Sequence, residues 1–245
     1  MRCVVLQPSF IPWRGYFDLI QKSDVFVFYD DVQYDRHGWR NRNRIKTPNG
    51  TQWLTIPVRS RGHLADQRTI REIEIDWNRP WNQTHWATLQ QSYRRAPHFE
   101  RYAPLVQSFY GLGPEAQERP QRLADFTIAT TISLARSLGI DHTRFLRSSE
   151  LSVPTTVGDV ARLGGTERLV AVLKAVGATH YITGPSARDY LDEAQLAAIG
   201  VSLEYMVYNY PEYLQLHPPY DPAVSILDLI FMTGPAARAH ICAKG

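Results

Sequence analysis

Two kinds of apolar pattern alternate along the chain, and the alternation predicts an α/β fold. Arg2–Leu6 is a short Val-rich run ended by Pro8, as expected of a strand buried on both faces. The stretch 15–22 then carries apolar residues at helical spacing, Phe17 and Ile20 among them, and 25–29 is a second β-rich run. These three elements read as a βαβ unit. Strands are also expected over 52–58 and 71–75, the second alternating charged and apolar side chains as an edge strand does. The stretch ahead of them is expected to be a long connection with a Pro-Asn-Gly turn at 48–50. From 80 to 139 the period becomes helical, predicting helices over 85–94, 100–110 and 119–138. The βαβ rhythm then returns, with strands at 143–146, 179–183 and 201–208 and helices at 166–176 and 188–199. The fold class is therefore α/β: a Rossmann-like, mostly parallel sheet with a central helical segment or insert. A single domain over 1–245 accommodates it, with an N-terminal α/β part (1–78), a helical segment (79–140) and a C-terminal α/β part (141–245).

Composition narrows the class without changing it. Hydrophobic residues make up 44% and charged residues 21% of the 245, which suits a folded globular chain. Runs such as 25–28 and 229–232 are far shorter than the roughly 20 residues needed to cross a bilayer. With no signal-peptide pattern at the start, retention in the cytoplasm and no membrane partner are the expectations. Cys3 and Cys242 are the two cysteines, too few for a disulfide framework or a four-sulfur zinc site. His98, His180 and His217 are scattered without metal spacing, so no metal site is assigned.

The net charge of +3 hides an uneven distribution. All 24 acidic residues lie outside 36–65, while Arg36, Arg40, Arg42, Arg44, Lys46, Arg59 and Arg61 lie within it. Such a stretch is an anion-attracting surface, unless its cations pair with acids elsewhere in the fold. Inside it, HGWRNRNRIK at 37–46 sets Trp39, Asn41 and Asn43 among four cations. Guanidinium forks suit phosphate oxygens, and amides and an indole suit a sugar or base. The same interleaving suits an RNA backbone. As a strand, the segment would put Arg40, Arg42 and Arg44 on one face and Trp39, Asn41 and Asn43 on the other.

Crevices outside the carboxyl ends of parallel strands are the usual ligand sites, which directs attention to three turns. In the first, QPSFIPWRGYF at 7–17, Gly15 allows close backbone approach, Arg14 and a helix start can receive an anion, and Gln7 and Tyr16 can orient a polar substrate. Packing of a rigid Pro- and Trp-rich turn is the alternative. In the second, Asp30 and Asp31 can hold Mg²⁺ or take a proton from an attacking amine or hydroxyl, or else serve as caps. The third, Thr183-Gly184-Pro185-Ser186, brings Gly184 and Arg188 toward the same crevice, and Ser148 follows another strand. Thr166 is expected to cap its helix. Neither a phosphate-loop Lys-Ser/Thr pair nor Gly-rich dinucleotide spacing is present.

The run CVVLQPSFIPWRGYFDLIQKSDVFVFYDDVQY, followed by HGWRNRNRIKTPNGTQWLTIPV, resembles the N-terminal signature of the WbqC-like protein family. SYRRAPHFERY, RFLRSSEL, GGTERLV, GATHYITGPSARDYLD and YPEYLQLHPPYDPAVSILDLIF are similar to later blocks of that family in order and spacing. Val172 and Leu173 depart from it, standing where relatives often carry Cys, which puts thiol chemistry there in doubt. The resemblance implies an accessory enzyme of glycan, O-antigen or natural-product assembly, transferring an acyl or aminoacyl group to an amine of a nucleotide-linked sugar or similar metabolite. In that reading Asp30, Asp31 and Tyr16 are the catalytic candidates. Gln7, Gly15, Arg36, His37, Trp39, Arg40, Asn41, Asn43, Ser148, Gly184 and Arg188 are the substrate-binding candidates. A phosphate-bearing small molecule is the expected partner, tRNA the alternative one, and a non-catalytic ligand-binding role the third reading. No cofactor is named.

Overall fold

The computed structural model describes residues 1–59, 67–114, 116, 118–152 and 165–241. Arg61 of the basic segment and Cys242 lie outside these. Five parallel strands form the central sheet: β1 (Arg2–Leu6), β2 (Val25–Phe28), β7 (Arg144–Arg147), β8 (His180–Thr183) and β9 (Ser202–Tyr205), in the spatial order β7-β2-β1-β8-β9. The chain enters at the centre, winds outward through β2 and β7, returns beside β1 as β8 and finishes at β9. The direction of winding thus reverses between β1 and β8, as at the switch point of a Rossmann-like sheet.

Period-two side-chain alternation sorts the sheet's two faces. Val4, Phe26 and Phe28 point into the larger core cluster, together with Phe17 and Ile20 of α1 (Arg14–Lys22). Cys3, Val5, Val25 and Val27 point the other way, against Leu169, Val172 and Leu173 of α5 (Gly165–Val176) and Leu196 of α6 (Glu193–Ala198). Burial pushes the Cys3 thiol up to about 12, so it packs as an inert apolar group.

The insert between β2 and β7 holds the expected helices, as α2 (Trp81–Tyr93), α3 (Phe99–Phe109) and α4 (Leu123–Ser137). It also holds a strand in the stretch expected as a connection: β3 (Arg42–Thr47) pairs with β4 (Gly50–Thr55), which overlaps the strand expected over 52–58, in an antiparallel hairpin around the Pro48–Gly50 turn. Leu54 and Ile45 are buried beneath it, and that burial holds in place a strand whose outer residues are mostly charged. Two expected elements are broken into shorter pieces. The stretch 71–75 is a 3-10 turn at Ile70–Glu72 and then β6 (Glu74–Ile75), paired with β5 (Val58–Arg59). The stretch 188–199 splits into a 3-10 turn at Pro185–Asp189 and α6, because the N-terminal cap lies at Asp192, whose carboxylate accepts the Ala194 N–H. Thr166 sits inside α5 rather than capping it, its hydroxyl accepting the Asp192 N–H at 3.1 Å.

After β9 the chain crosses over α1 as an irregular arm and ends in α7 (Ile226–Thr233), which is buried along nearly its whole length. Buried polar groups fasten the arm. Arg14 donates to the Pro211 carbonyl (2.8 Å) and the Tyr220 hydroxyl (2.6 Å), and Tyr210 donates to Asp18 (2.9 Å). Tyr213 and Tyr93 both donate to Asp228, at 2.8 and 2.9 Å. Among the described residues no helix is long and apolar enough to cross a membrane.

Candidate functional site

A cavity of about 450 Å³ opens at the switch point, with Leu6 at the carboxyl end of β1 and Thr183 and Gly184 at that of β8. Trp13, Tyr16 and Tyr208 wall it, and Trp39, Arg40 and Asn43 close it from the hairpin side. Local strain shapes the first wall. Ile11 has a backbone φ of 36°, a conformation costly for a β-branched residue. The Asn43 amide holds it by donating to the Phe10 and Ile11 carbonyls, at 3.0 and 2.8 Å. The Phe10 N–H to the Trp39 carbonyl (3.1 Å) and the Ile226 N–H to the Pro12 carbonyl (2.9 Å) complete the clamp.

Arg40 is the cation of this cavity. Its Nη1 donates to the Ser9 hydroxyl at 3.0 Å and to the Gln7 and Pro8 carbonyls at 3.3 and 3.4 Å, all neutral acceptors. Its Nε is shut off from solvent with no partner, and Nη2 takes part in none of these bonds. Desolvation lowers its pKa from the ordinary guanidinium value, yet arginine stays charged in proteins. A desolvated cation held by neutral dipoles is a prepared anion site.

The other walls are uncharged. Tyr16 donates to the Gln7 carbonyl at 3.0 Å, and complete burial pushes its hydroxyl far above the phenolic range. It buttresses the loop and is no base at neutral pH. Tyr208 meets Trp13 edge-on at 5.0 Å, and burial raises its hydroxyl to about 12. A Cβ on Gly184 would lie 3.1 Å from that hydroxyl, so Gly184 leaves room for the Tyr208 ring. Among the described residues, no carboxylate and no imidazole lines the cavity.

Tyr16, Trp39, Arg40, Asn43 and Gly184 therefore meet around one space, and the remaining expected residues do not. Gln7 contributes its backbone carbonyl rather than its side chain. The space beside Gly15 is filled by the Trp13 indole, whose Cζ2 would lie 2.4 Å from a Cβ there, so the glycine admits that ring rather than a ligand. Arg14 is turned toward the arm. Asn41 donates to the Ile56 carbonyl at 2.8 Å and ties the hairpin down. Arg36 and His37 are exposed on the preceding turn, and Arg188 lies over the Tyr205 ring at 4.5 Å. The two-face expectation for the basic segment is corrected at Trp39. It stands on the arginine side, with its ring centroid 5.2 Å from that of Trp53.

Asp30, Asp31 and Ser148 form a separate seam between the ends of β2 and β7. Asp30 is fully buried, accepting the Ser149 N–H (3.1 Å) and hydroxyl (2.9 Å). The Ser148 hydroxyl accepts the Asp30 N–H at 3.2 Å and donates to Asp31. Asp31 is paired with Arg168 at 2.6 Å. Neither aspartate lines the cavity, and both are saturated with partners. Ser9 and Tyr208 were not read as site residues from sequence. For Tyr208 the available signal was its place just beyond the last strand. His180 bonds Ser202 (2.7 Å) and Glu204 (2.9 Å) across β8 and β9, and His217 bonds the Ser92 carbonyl at 2.8 Å.

The profile of the WbqC-like protein family matches residues 7–240. The chain is also 38% identical over 241 residues to the uncharacterized protein Rv1507c of Mycobacterium tuberculosis (strain ATCC 25618 / H37Rv), covering 98% of this chain and 97% of that one. No solved structure matches.

Proposed function

The chain belongs to the WbqC-like protein family, and from that premise we propose that it is a biosynthetic transferase whose switch-point cavity holds a phosphate-bearing metabolite. The finer reading is transfer of an acyl or aminoacyl group to an amine of a nucleotide-linked sugar or similar compound. One observation carries it: a desolvated guanidinium, Arg40, with only neutral partners, in an aromatic-walled space of about 450 Å³ where β1 and β8 part. Its charge and the unused Nη2 suit a phosphate oxygen, and the rings of Trp13, Tyr208 and Trp39 suit a sugar or base.

The same walls suit an amine nucleophile. Between uncharged aromatic walls an ammonium ion is poorly solvated, which favours the neutral, nucleophilic form of a bound amine. In the transfer the amine nitrogen bonds to the acyl carbon as the bond to the leaving oxygen breaks, and that oxygen carries away the proton the nitrogen loses. Asp30 and Asp31 have no part in this scheme. Incubation with nucleoside diphosphate amino sugars and activated acyl donors, read by mass spectrometry, tests the proposal. A mass increase of one acyl group supports it. Tight binding of the sugar with no product under any donor would leave a ligand-binding protein instead.

A further inference from the structure

The cavity accounts for Arg40, but not for the cations and indoles that continue outward from it along the hairpin. Trp39 and Trp53 are 42% and 44% exposed, unusual for the largest apolar side chains. Arg44 faces Trp53 directly across β3 and β4. The Arg42 guanidinium lies 4.6 Å from the Trp53 ring, and that of Arg44 lies 5.7 and 5.9 Å from Trp39 and Trp53. Trp39 belongs to both places, since it also closes the cavity. The result is a continuous outward-facing ladder of alternating ring and cation that begins at the cavity mouth.

Its charges are largely uncompensated. Arg42 bonds a backbone carbonyl, that of His37, and Arg36 stands exposed on the turn before it. Arg44 reaches a carboxylate only at 3.9 Å, that of Asp221. A small phosphorylated metabolite seated at Arg40 would leave this ladder unused. A chain of phosphates with unstacked bases would use all of it, because indoles stack bases of any sequence while interleaved arginines track the backbone. The ladder meets the cavity at one end, so the chain's terminus is what enters.

We propose that the Trp39–Trp53 face of the hairpin binds the unpaired 3′ end of an RNA and delivers its terminal sugar to the cavity. The inference rests on the acyl-transfer reading above and supplies the donor: an acyl ester on the terminal hydroxyl of that RNA. The ester C–O bond breaks as the C–N bond forms, and the released oxygen takes up the proton that the amine nitrogen loses.

The test is fluorescence anisotropy with labelled, unacylated bulk tRNA, intact and with its unpaired 3′ end removed, against the wild-type protein and Trp53→Ala and Arg42→Ala. Intact tRNA is expected to bind, with log affinity falling against log salt at a slope of about −2 if three arginines meet phosphates of a single strand. Each substitution weakens binding about tenfold, and trimming the 3′ end weakens it as much. Absence of binding at low salt, or equal binding by both variants or by the trimmed RNA, overturns the inference. Because Trp53 does not line the cavity, calorimetric binding of uridine diphosphate by Trp53→Ala is read in parallel. If the wild-type protein binds uridine diphosphate but not tRNA, only the ladder fails. If neither ligand binds the wild-type protein, the cavity reading fails too.

Discussion

The cavity and the aspartate seam lie at the same edge of the sheet, one between β1 and β8 and the other between β2 and β7, and they differ in how their polar groups are satisfied. In the seam each charge has its partners: Asp30 has Ser149, and Asp31 has Ser148 and Arg168. The groups hold two strand ends together and leave nothing for a ligand. In the cavity one cation, Arg40, has neutral contacts and a face turned to open space. Residue type alone favours the aspartates as chemistry, and the proposed site rests instead on the less satisfied charge of the cavity. A site is marked by what the fold leaves unsatisfied.

The largest effect expected from this contrast is on stability, at the seam. Asp30→Ala strands the Ser149 N–H and hydroxyl that Asp30 accepts and should cost about 2 to 4 kcal/mol in denaturant unfolding, with uridine diphosphate affinity of the folded fraction unchanged. A large loss of affinity would break the contrast. Arg40→Gln keeps donors for the loop carbonyls but removes the charge, and should weaken that ligand about 10- to 100-fold in calorimetry with little change in melting temperature. Asn43→Ala releases the clamp on Ile11, so a stability loss of about 1 to 2 kcal/mol should come with a several-fold loss of affinity.

The mildest probe is pH. Burial depresses His85, whose ring lies tilted against Phe10 behind the cavity loop, from the ordinary 6.5 to about 4. The unfolded chain therefore takes up this proton first as pH falls. The contribution of neutral His85 is complete above 6.5 and is lost toward pH 4, at no more than about 1.4 kcal/mol per pH unit. His85→Phe should flatten that part of the stability profile measured by denaturant titration, and an unchanged profile would contradict the assignment.

Much of the sheet was legible because parallel strands buried on both faces are written as continuous β-rich runs, as at Arg2–Leu6 and Val25–Phe28. The hairpin was not legible as one. Arg42 and Arg44 alternate with buried Asn43 and Ile45, but polar and charged residues fill both faces, Lys46 being buried as well, so no apolar period marks the strand. Helix α7 was visible only as a short apolar run, since burial on all sides erases the helical stripe. Among the residues that line the cavity, Arg40 and Asn43 carry a local mark in their charge and amide pattern. Tyr208 comes from nearly 170 positions away, and its one mark is its place just beyond the last strand. Gly15 was misread because its neighbour Trp13, rather than a ligand, occupies the space it leaves. The saturation of Asp30 depends on Ser148 and Ser149, residues that only the pairing of β2 with β7 brings near.

Titration calorimetry of uridine diphosphate against the wild-type protein, Arg40→Gln and Asp30→Asn tests the central claim most directly. Binding that is lost in Arg40→Gln and kept in Asp30→Asn is the predicted result. Binding that survives in Arg40→Gln and disappears in Asp30→Asn would contradict it and return the site to the seam.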